Sequence, residues 1–188
     1  IFFLKKTKPE KINILGAGSN TLIRDGGVKG ITLKLSSKFS YLNFTAPDVI
    51  EVGASTPDKK IADFALKHSL TGLEFLACIP GSIGGAIRMN SGCFGQEISQ
   101  VLHSIEAIDL TGNKKNISSS DINFYYRGCS LDSNLIITSV NLLGKPFQKE
   151  EIQKKQESFI EQKKSAQPRQ VKTCGSTFKN TQNNKAWE

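Results

Sequence analysis

The chain has 188 residues, 38% hydrophobic and 22% charged, the size and balance of one medium globular domain with room for part of a second. This argues against a disordered tail or fibrous repeat, and no apolar run approaches the ~20 residues that cross a bilayer. The formal charge of +8 comes from 21 scattered lysines and only four arginines, Arg24, Arg88, Arg127 and Arg169. That is a solvated surface, whereas a nucleic-acid footprint clusters basic residues among aromatics, so neither a nucleic-acid nor a membrane partner is expected.

The opening Ile1-Phe2-Phe3-Leu4 is too short for a signal-peptide core, and its lysines follow the apolar residues instead of preceding them, so a cytoplasmic protein is expected. Met89 is the sole methionine, which makes a fragment of a longer protein the expected state of the chain. Cys78, Cys93, Cys129 and Cys174 form no Cys-x-x-Cys pair and have only His68 and His103 as helpers, so no metal site is expected and the thiols read as small, reduced core residues.

In chain order, Ile12 to Leu15 and Thr21 to Arg24 read as short strands around a glycine turn. Residues 31–35 alternate as a half-buried strand, and Asp48 to Ala54 is another. Thr56-Pro57-Asp58 offers a cap, a first-turn proline and an early acid. Ile61, Phe64, Ala65 and His68 then recur at helical spacing, so a helix is predicted over 57–69, with His68 as a partly buried core residue. Residues 72–95 are glycine-rich and irregular. A hairpin follows from 104–110 and 114–117, then a strand at 134–142. Gly144-Lys145-Pro146 breaks the pattern before a polar helix over 149–164, which places a domain boundary near 143–147.

Three segments suggest chemistry. In Gly16-Ala17-Gly18-Ser19-Asn20, small residues let backbone amides converge into an anion nest suited to a pyrophosphate, although an ordinary tight hairpin explains the pattern equally well. The third glycine, following helix and acid about 20 residues on that mark a Rossmann loop are missing. The glycine density of residues 79–95 is costly in backbone entropy. A backbone surface lying flush against a flat or phosphorylated ligand explains it better than independent turns do. Third, Tyr125-Tyr126-Arg127 and Gly175-Ser176-Thr177-Phe178-Lys179-Asn180 supply a cation and a hydroxyl without a histidine base. This argues against a Ser-His-Asp hydrolase; a serine relaying a proton beside a cation and a plain surface Tyr-Arg with a turn serine both remain open.

Gly16-Ala-Gly-Ser-Asn-Thr-Leu-Ile, Gly72-Leu-Glu-Phe-Leu-Ala, Ile79-Pro-Gly-Ser-Ile-Gly-Gly-Ala with Met89-Asn90-Ser91-Gly92, Tyr126-Arg127, and Gln167-Pro168 before Gly175-Ser-Thr-Phe-Lys-Asn occur in this order over nearly the whole chain. In this ordered set the sequence resembles the UDP-N-acetylenolpyruvoylglucosamine reductase (MurB) family. The resemblance implies an α+β fold: a PCMH-type (vanillyl-alcohol-oxidase-like) FAD-binding domain over 1–143, lacking its N-terminus, then a partial substrate domain over 144–188, lacking its C-terminus. With no inserted tyrosine loop between Leu142 and Gln167, it looks like the shorter, type II branch.

The implied activity is reduction of UDP-N-acetylglucosamine enolpyruvate to UDP-N-acetylmuramate in peptidoglycan precursor synthesis, by a monomer that uses noncovalent FAD and takes its hydride from NADPH. By the same resemblance, Gly16, Ala17, Gly18, Ser19 and Asn20, with Ile79, Pro80, Gly81, Ser82, Gly84, Gly85, Asn90 and Gly92, hold the FAD. Arg127 steadies the developing negative charge, Ser176 protonates the carbanion, and Tyr126, Lys179 and Asn180 face the substrate. The family's third catalytic residue, a glutamate near the C-terminus, has no counterpart here, Glu188 does not fill that role, and Thr181 stands where a proline is usual. A chain of poor activity on its own is therefore expected; the alternatives are an FAD-binding remnant and another PCMH-type flavin oxidoreductase.

Overall fold

The computed structural model describes residues 1–7, 11–166 and 179–180. In chain order the elements are α1 (Phe2–Thr7), β1 (Ile12–Ile14), β2 (Ile31–Leu33), β3 (Leu42–Ala46), β4 (Val49–Gly53), α2 (Asp58–Lys67), β5 (Leu70–Thr71), α3 (Ile83–Arg88), β6 (Gly92–Cys93) and β7 (Gln96–Glu97). They continue with β8 (Leu102–Ile108), β9 (Lys114–Ser118), β10 (Phe124–Tyr125), β11 (Gly128–Cys129), β12 (Ile136–Leu143), β13 (Lys145–Pro146) and α4 (Lys149–Ala166).

The frame is a five-stranded sheet of order β3-β4-β12-β8-β9, antiparallel throughout. β12 lies at its centre because Ile136, Ile137, Val140 and Leu142 are all buried, so an apolar run without strict alternation fits only where both faces are covered. Val140 pairs with Val52 on one side and Ile105 on the other. β8, one strand outward, alternates, burying Leu102, Ile105 and Ala107 between exposed His103 and Glu106.

α2 lays Ile61, Ala62 and Ala65 into the same core as Leu73, Phe75, Leu76, Ile83 and Ile87. Complete burial of a residue such as Phe75 stabilises the fold by roughly 1.5–3 kcal/mol. The 3-10 turn Glu74–Cys78 is the ledge on which α4 rests. α4 has few apolar anchors and is held by polar ones. Ile152 is buried and Gln156 Nε2 donates to Asp63 Oδ1 at 3.1 Å. Lys155 Nζ lies 3.2 Å from Oε2 of buried Glu74, and Lys163 Nζ donates to the Cys78 carbonyl. Phe159 stacks on Phe94 with ring centroids 5.3 Å apart.

Several expectations change in detail. Thr21 to Arg24 forms no strand: the residues are exposed, with Leu22 85% accessible, and β1 pairs instead with β2, in parallel. β3 has no clean alternation in Leu42-Asn43-Phe44 to mark it in the sequence, but its register with β4 completes the sheet edge. Residues 72–95 are less irregular than expected, since α3 forms despite two glycines. Pro57, not Thr56, occupies the cap position of α2, and the Thr56 hydroxyl donates to the Tyr41 carbonyl at 3.2 Å. His68 is exposed, its ring packed against Phe44 and Phe64 at 4.9 and 4.5 Å.

Candidate flavin-nucleotide site

Two glycine loops far apart in sequence meet at the mouth of a large cavity. The Ser19 hydroxyl donates to the Pro80 carbonyl at 2.6 Å, joining residues 61 apart. A Cβ on Gly16 would lie 3.1 Å from Ser82 Oγ, so only glycine lets the loops approach this closely without displacing that hydroxyl. Gly18 has φ +86°, the left-handed region in which a side chain is strained. Among the described residues, no amide from Gly16 to Asn20 donates to a backbone carbonyl, nor do those of Gly81 and Ser82. Amides without a backbone acceptor in two adjoining loops are candidate donors to an anion.

Behind the second loop, α3 starts tight against β4. Gly84 N donates to the Ala54 carbonyl at 3.0 Å, and a Cβ there would meet that oxygen at 3.1 Å. One residue on, a Cβ on Gly85 would meet nothing within 4 Å. The two glycines thus serve different ends: Gly84 permits packing against the protein, and Gly85 leaves a bare face on the cavity.

The opposite wall is the β10–β11 hairpin. Tyr125 pairs with Gly128, leaving Tyr126 and Arg127 as the two-residue tip. The Tyr125 ring folds over Gly128 so closely that a Cβ there would sit 2.2 Å from it, and Arg127 takes φ +58°. A left-handed non-glycine residue costs about 1–2 kcal/mol, a strain that persists here to point a half-buried guanidinium into the cavity, 5.6 Å from the Tyr126 ring centroid. The Asn180 amide donates to the Tyr126 hydroxyl at 3.3 Å, bringing that residue to the same hairpin.

Of the residues singled out from sequence, Gly16, Ala17, Gly18, Ser19, Asn20, Ile79, Pro80, Gly81, Ser82, Gly84, Gly85, Asn90, Gly92, Tyr126, Arg127 and Asn180 all line this one cavity. Lys179 is exposed and outside the lining, and Ser176 lies outside the described residues. Asn90 and Gly92 also have structural duties. Asn90 Oδ1 accepts from Ser99 N at 3.1 Å, and Gly92 is pressed so tightly on Gln96 that a Cβ would be 2.3 Å from its carbonyl.

Other lining residues gave no signal in the sequence. Arg88 donates from Nη1 to the Leu131 carbonyl at 2.9 Å and from Nη2 to that of Leu135, clamping the loop before β12; burial lowers its pKa. Cys93 Sγ donates to the Phe75 carbonyl at 3.5 Å, and burial raises the thiols of Cys78 and Cys93, Cys93 to about 12, so they are packing groups and not thiolates. Asp58, at the first turn of α2, is fully buried and burial pushes its carboxyl up to about 8.

The structure defines a PCMH-type (vanillyl-alcohol-oxidase-like) α+β fold in which two glycine loops meet beside one cavity. The FAD binding domain family profile matches residues 4–118, so the chain belongs to that family, and its kinship within it lies with the UDP-N-acetylenolpyruvoylglucosamine reductases. The reductase of Orientia tsutsugamushi (strain Ikeda) is 47% identical over 181 residues, covering 95% of this chain and 60% of that one. That of Pelagibacter ubique (strain HTCC1062) is 48% identical, covering 96% and 60%. The crystal structure of the MurB reductase from Thermus caldophilus superposes with a TM-score of 0.86 at 30% identity, covering 98% of this chain and 66% of that one. A Cu,Mo-CO dehydrogenase, at 16% identity and a TM-score of 0.57, shares the fold alone. The chain spans about 60% of the length of the curated relatives it matches.

Proposed function

We propose that the chain binds FAD noncovalently and is the flavin-binding part of an NADPH-dependent reductase that converts UDP-N-acetylglucosamine enolpyruvate to UDP-N-acetylmuramate, for peptidoglycan precursors, in the cytoplasm. The observation that carries this reading is the joined double loop, whose residues line the same cavity as Arg127 and whose amides have no backbone acceptor among the described residues. FAD suits the residues present: its diphosphate needs several N–H donors and no bulky side chains, which Gly16 to Asn20 and Gly81-Ser82 supply. Its flat ring needs a face such as the one Gly85 leaves bare. No cysteine or histidine is asked to form a covalent link.

Bound FAD would supply the hydride-transfer chemistry, with NADPH as its reductant. The chain's own residues do the rest. Hydride addition to the enolpyruvyl group leaves negative charge on the neighbouring carbon and its carboxylate. The Arg127 fork, fixed by the strained hairpin tip, holds that charge. The Ser176 hydroxyl then gives its proton to the carbon, a general-acid step worth typically 10²–10⁴-fold. Tyr126, Lys179 and Asn180 orient the substrate, the hydrogen bond from Asn180 N to the Tyr126 hydroxyl coupling the hairpin to the segment after Ser176. In this reading residues 144–188 begin the substrate domain, with α4 fastened to the flavin domain through Lys155 and Lys163, and the protein acts as a monomer.

The test is spectroscopic. Purified protein should show flavin absorbance between 350 and 500 nm, with the flavin released on acid denaturation. In Ser176→Ala, bleaching by NADPH should survive while reoxidation by the enolpyruvyl substrate slows by two orders of magnitude or more. Unchanged reoxidation removes Ser176 from the chemistry, and an absence of flavin binding removes the proposal altogether.

A further inference from the structure

Asp58 is the one acidic group that the double loop is built around and the reaction does not use. Its side chain is fully buried, and neither carboxyl oxygen has a hydrogen-bond partner among the described residues. It heads the ten-residue helix α2, its amide donates to the Gly81 carbonyl at 3.3 Å, and a Cβ on Gly81 would lie 3.1 Å from Asp58 Oδ2 and 3.4 Å from Ser19 Oγ. The carboxyl therefore lies directly beneath the junction of the two phosphate-binding loops and contributes to the cavity wall.

Among the described residues, no charged group of the cavity holds an ionised carboxylate at this position. The charged groups lining the cavity are Lys34 after β2, Lys60 on α2, Arg88 on α3, Glu97 on β7, Arg127 at the hairpin tip and Lys163 on α4, and none forms an ion pair with Asp58. Arg88 and Lys163 are committed to backbone carbonyls. Cys78 and Cys93 also line the cavity, and burial raises both thiols, Cys93 to about 12. The N-terminal end of α2 favours a carboxylate, but by a fraction of what burying an unpaired charge costs.

We propose that Asp58 is a positioning residue of the diphosphate cradle, bound to its proton whenever the dinucleotide occupies the double loop, so that ionising Asp58 weakens nucleotide binding. The proposal rests on the reading that the loops hold the diphosphate of FAD. A protonated carboxyl is a neutral support that can also donate a hydrogen bond. A carboxylate at the same place adds a buried negative charge under an anionic ligand. Desolvation already holds the free carboxyl protonated up to about pH 8, and the bound diphosphate favours the proton further. Binding then falls as pH rises above 8, at up to tenfold per pH unit, giving about tenfold weaker binding at pH 9 than at pH 7.

The experiment is titration of FAD into the flavin-stripped protein at pH 7, 8 and 9, followed by flavin fluorescence, for the wild type and Asp58→Asn. Calorimetry of the wild type at pH 8.5 in two buffers of different ionisation enthalpy accompanies it. The proposal expects the tenfold loss in the wild type, no more than a twofold loss in Asp58→Asn, and net proton uptake on binding. Groups common to both proteins cancel in the comparison. Equal pH dependence in the two proteins, or binding without proton uptake, overturns the role of Asp58 while leaving the flavin site intact. If the wild type does not bind FAD at any pH, both the site and the inference fall. Should Asp58→Asn not fold, the wild-type proton uptake decides alone.

Discussion

Replacing Gly85 with alanine separates what the glycine does for the fold from what it does for a ligand. In the ligand-free protein the new methyl group meets nothing within 4 Å, and alanine is the better helix former, so the chain should gain roughly 0.5–1 kcal/mol in stability. If a flavin ring lies on that bare face, the same methyl intrudes into the contact, and overpacking costs about 1–3 kcal/mol. At about 1.4 kcal/mol per factor of ten, FAD binding should weaken by about fivefold to 150-fold. Gly84→Ala is the contrasting change. Its methyl would press on the Ala54 carbonyl at 3.1 Å and Ala54 Cβ at 3.2 Å, backbone and near-backbone atoms with little room to move. A net stability loss of roughly 1–2 kcal/mol follows after allowing for helix propensity. Urea melts of the stripped proteins and FAD titrations of the folded ones measure both quantities. A Gly85→Ala protein with unaltered FAD affinity would refute the idea that this face is reserved for the ligand.

Arg127→Lys keeps the charge but loses the planar fork, so FAD affinity should hold while substrate-driven flavin reoxidation slows roughly 10²-fold in stopped-flow traces. Glu74→Ala removes the acceptor shared by Lys155 Nζ, the Gly72 amide and the Thr71 hydroxyl; since Lys155 reaches solvent, the expected loss is about 2–3 kcal/mol, read as a lower urea midpoint. Asp58 should also imprint the stability of the ligand-free protein. Its folded pKa of about 8 lies above the ordinary 3.8, so the unfolded chain holds fewer protons between those values, and stability should fall as pH rises from about 4 to 8 and then level off. Asp58→Asn should flatten that slope in thermal melts; an unchanged slope would mean the carboxyl is ionised in the fold.

Much of this was legible in the chain. The hairpin over 104–117, the strand over 134–142 and the helical spacing of α2 were all readable, because each is set by residues close together in the chain. Glycine density marked both loops for the same local reason. Where the local pattern was weak the reading erred: β3 has no clean alternation and exists because β4 offers it a register, and Thr21 to Arg24 has strand-forming residues but no strand beside it to pair with.

The residue types that allow close backbone approach, and their order along the chain, are properties of the sequence alone, since backbone freedom and donor content are local. Which of them face one another was decided only by tertiary structure. Ser19 meets Pro80 across 61 residues, and the segment that leads into α2 bridges the one that leads into α3 through Pro57 and Ser82. Asp58 shows the difference most clearly. As a letter in the chain it is a solvated first-turn acid, and only the loop folded over it removes the water, because desolvation depends on everything that surrounds a group and not on its neighbours in sequence.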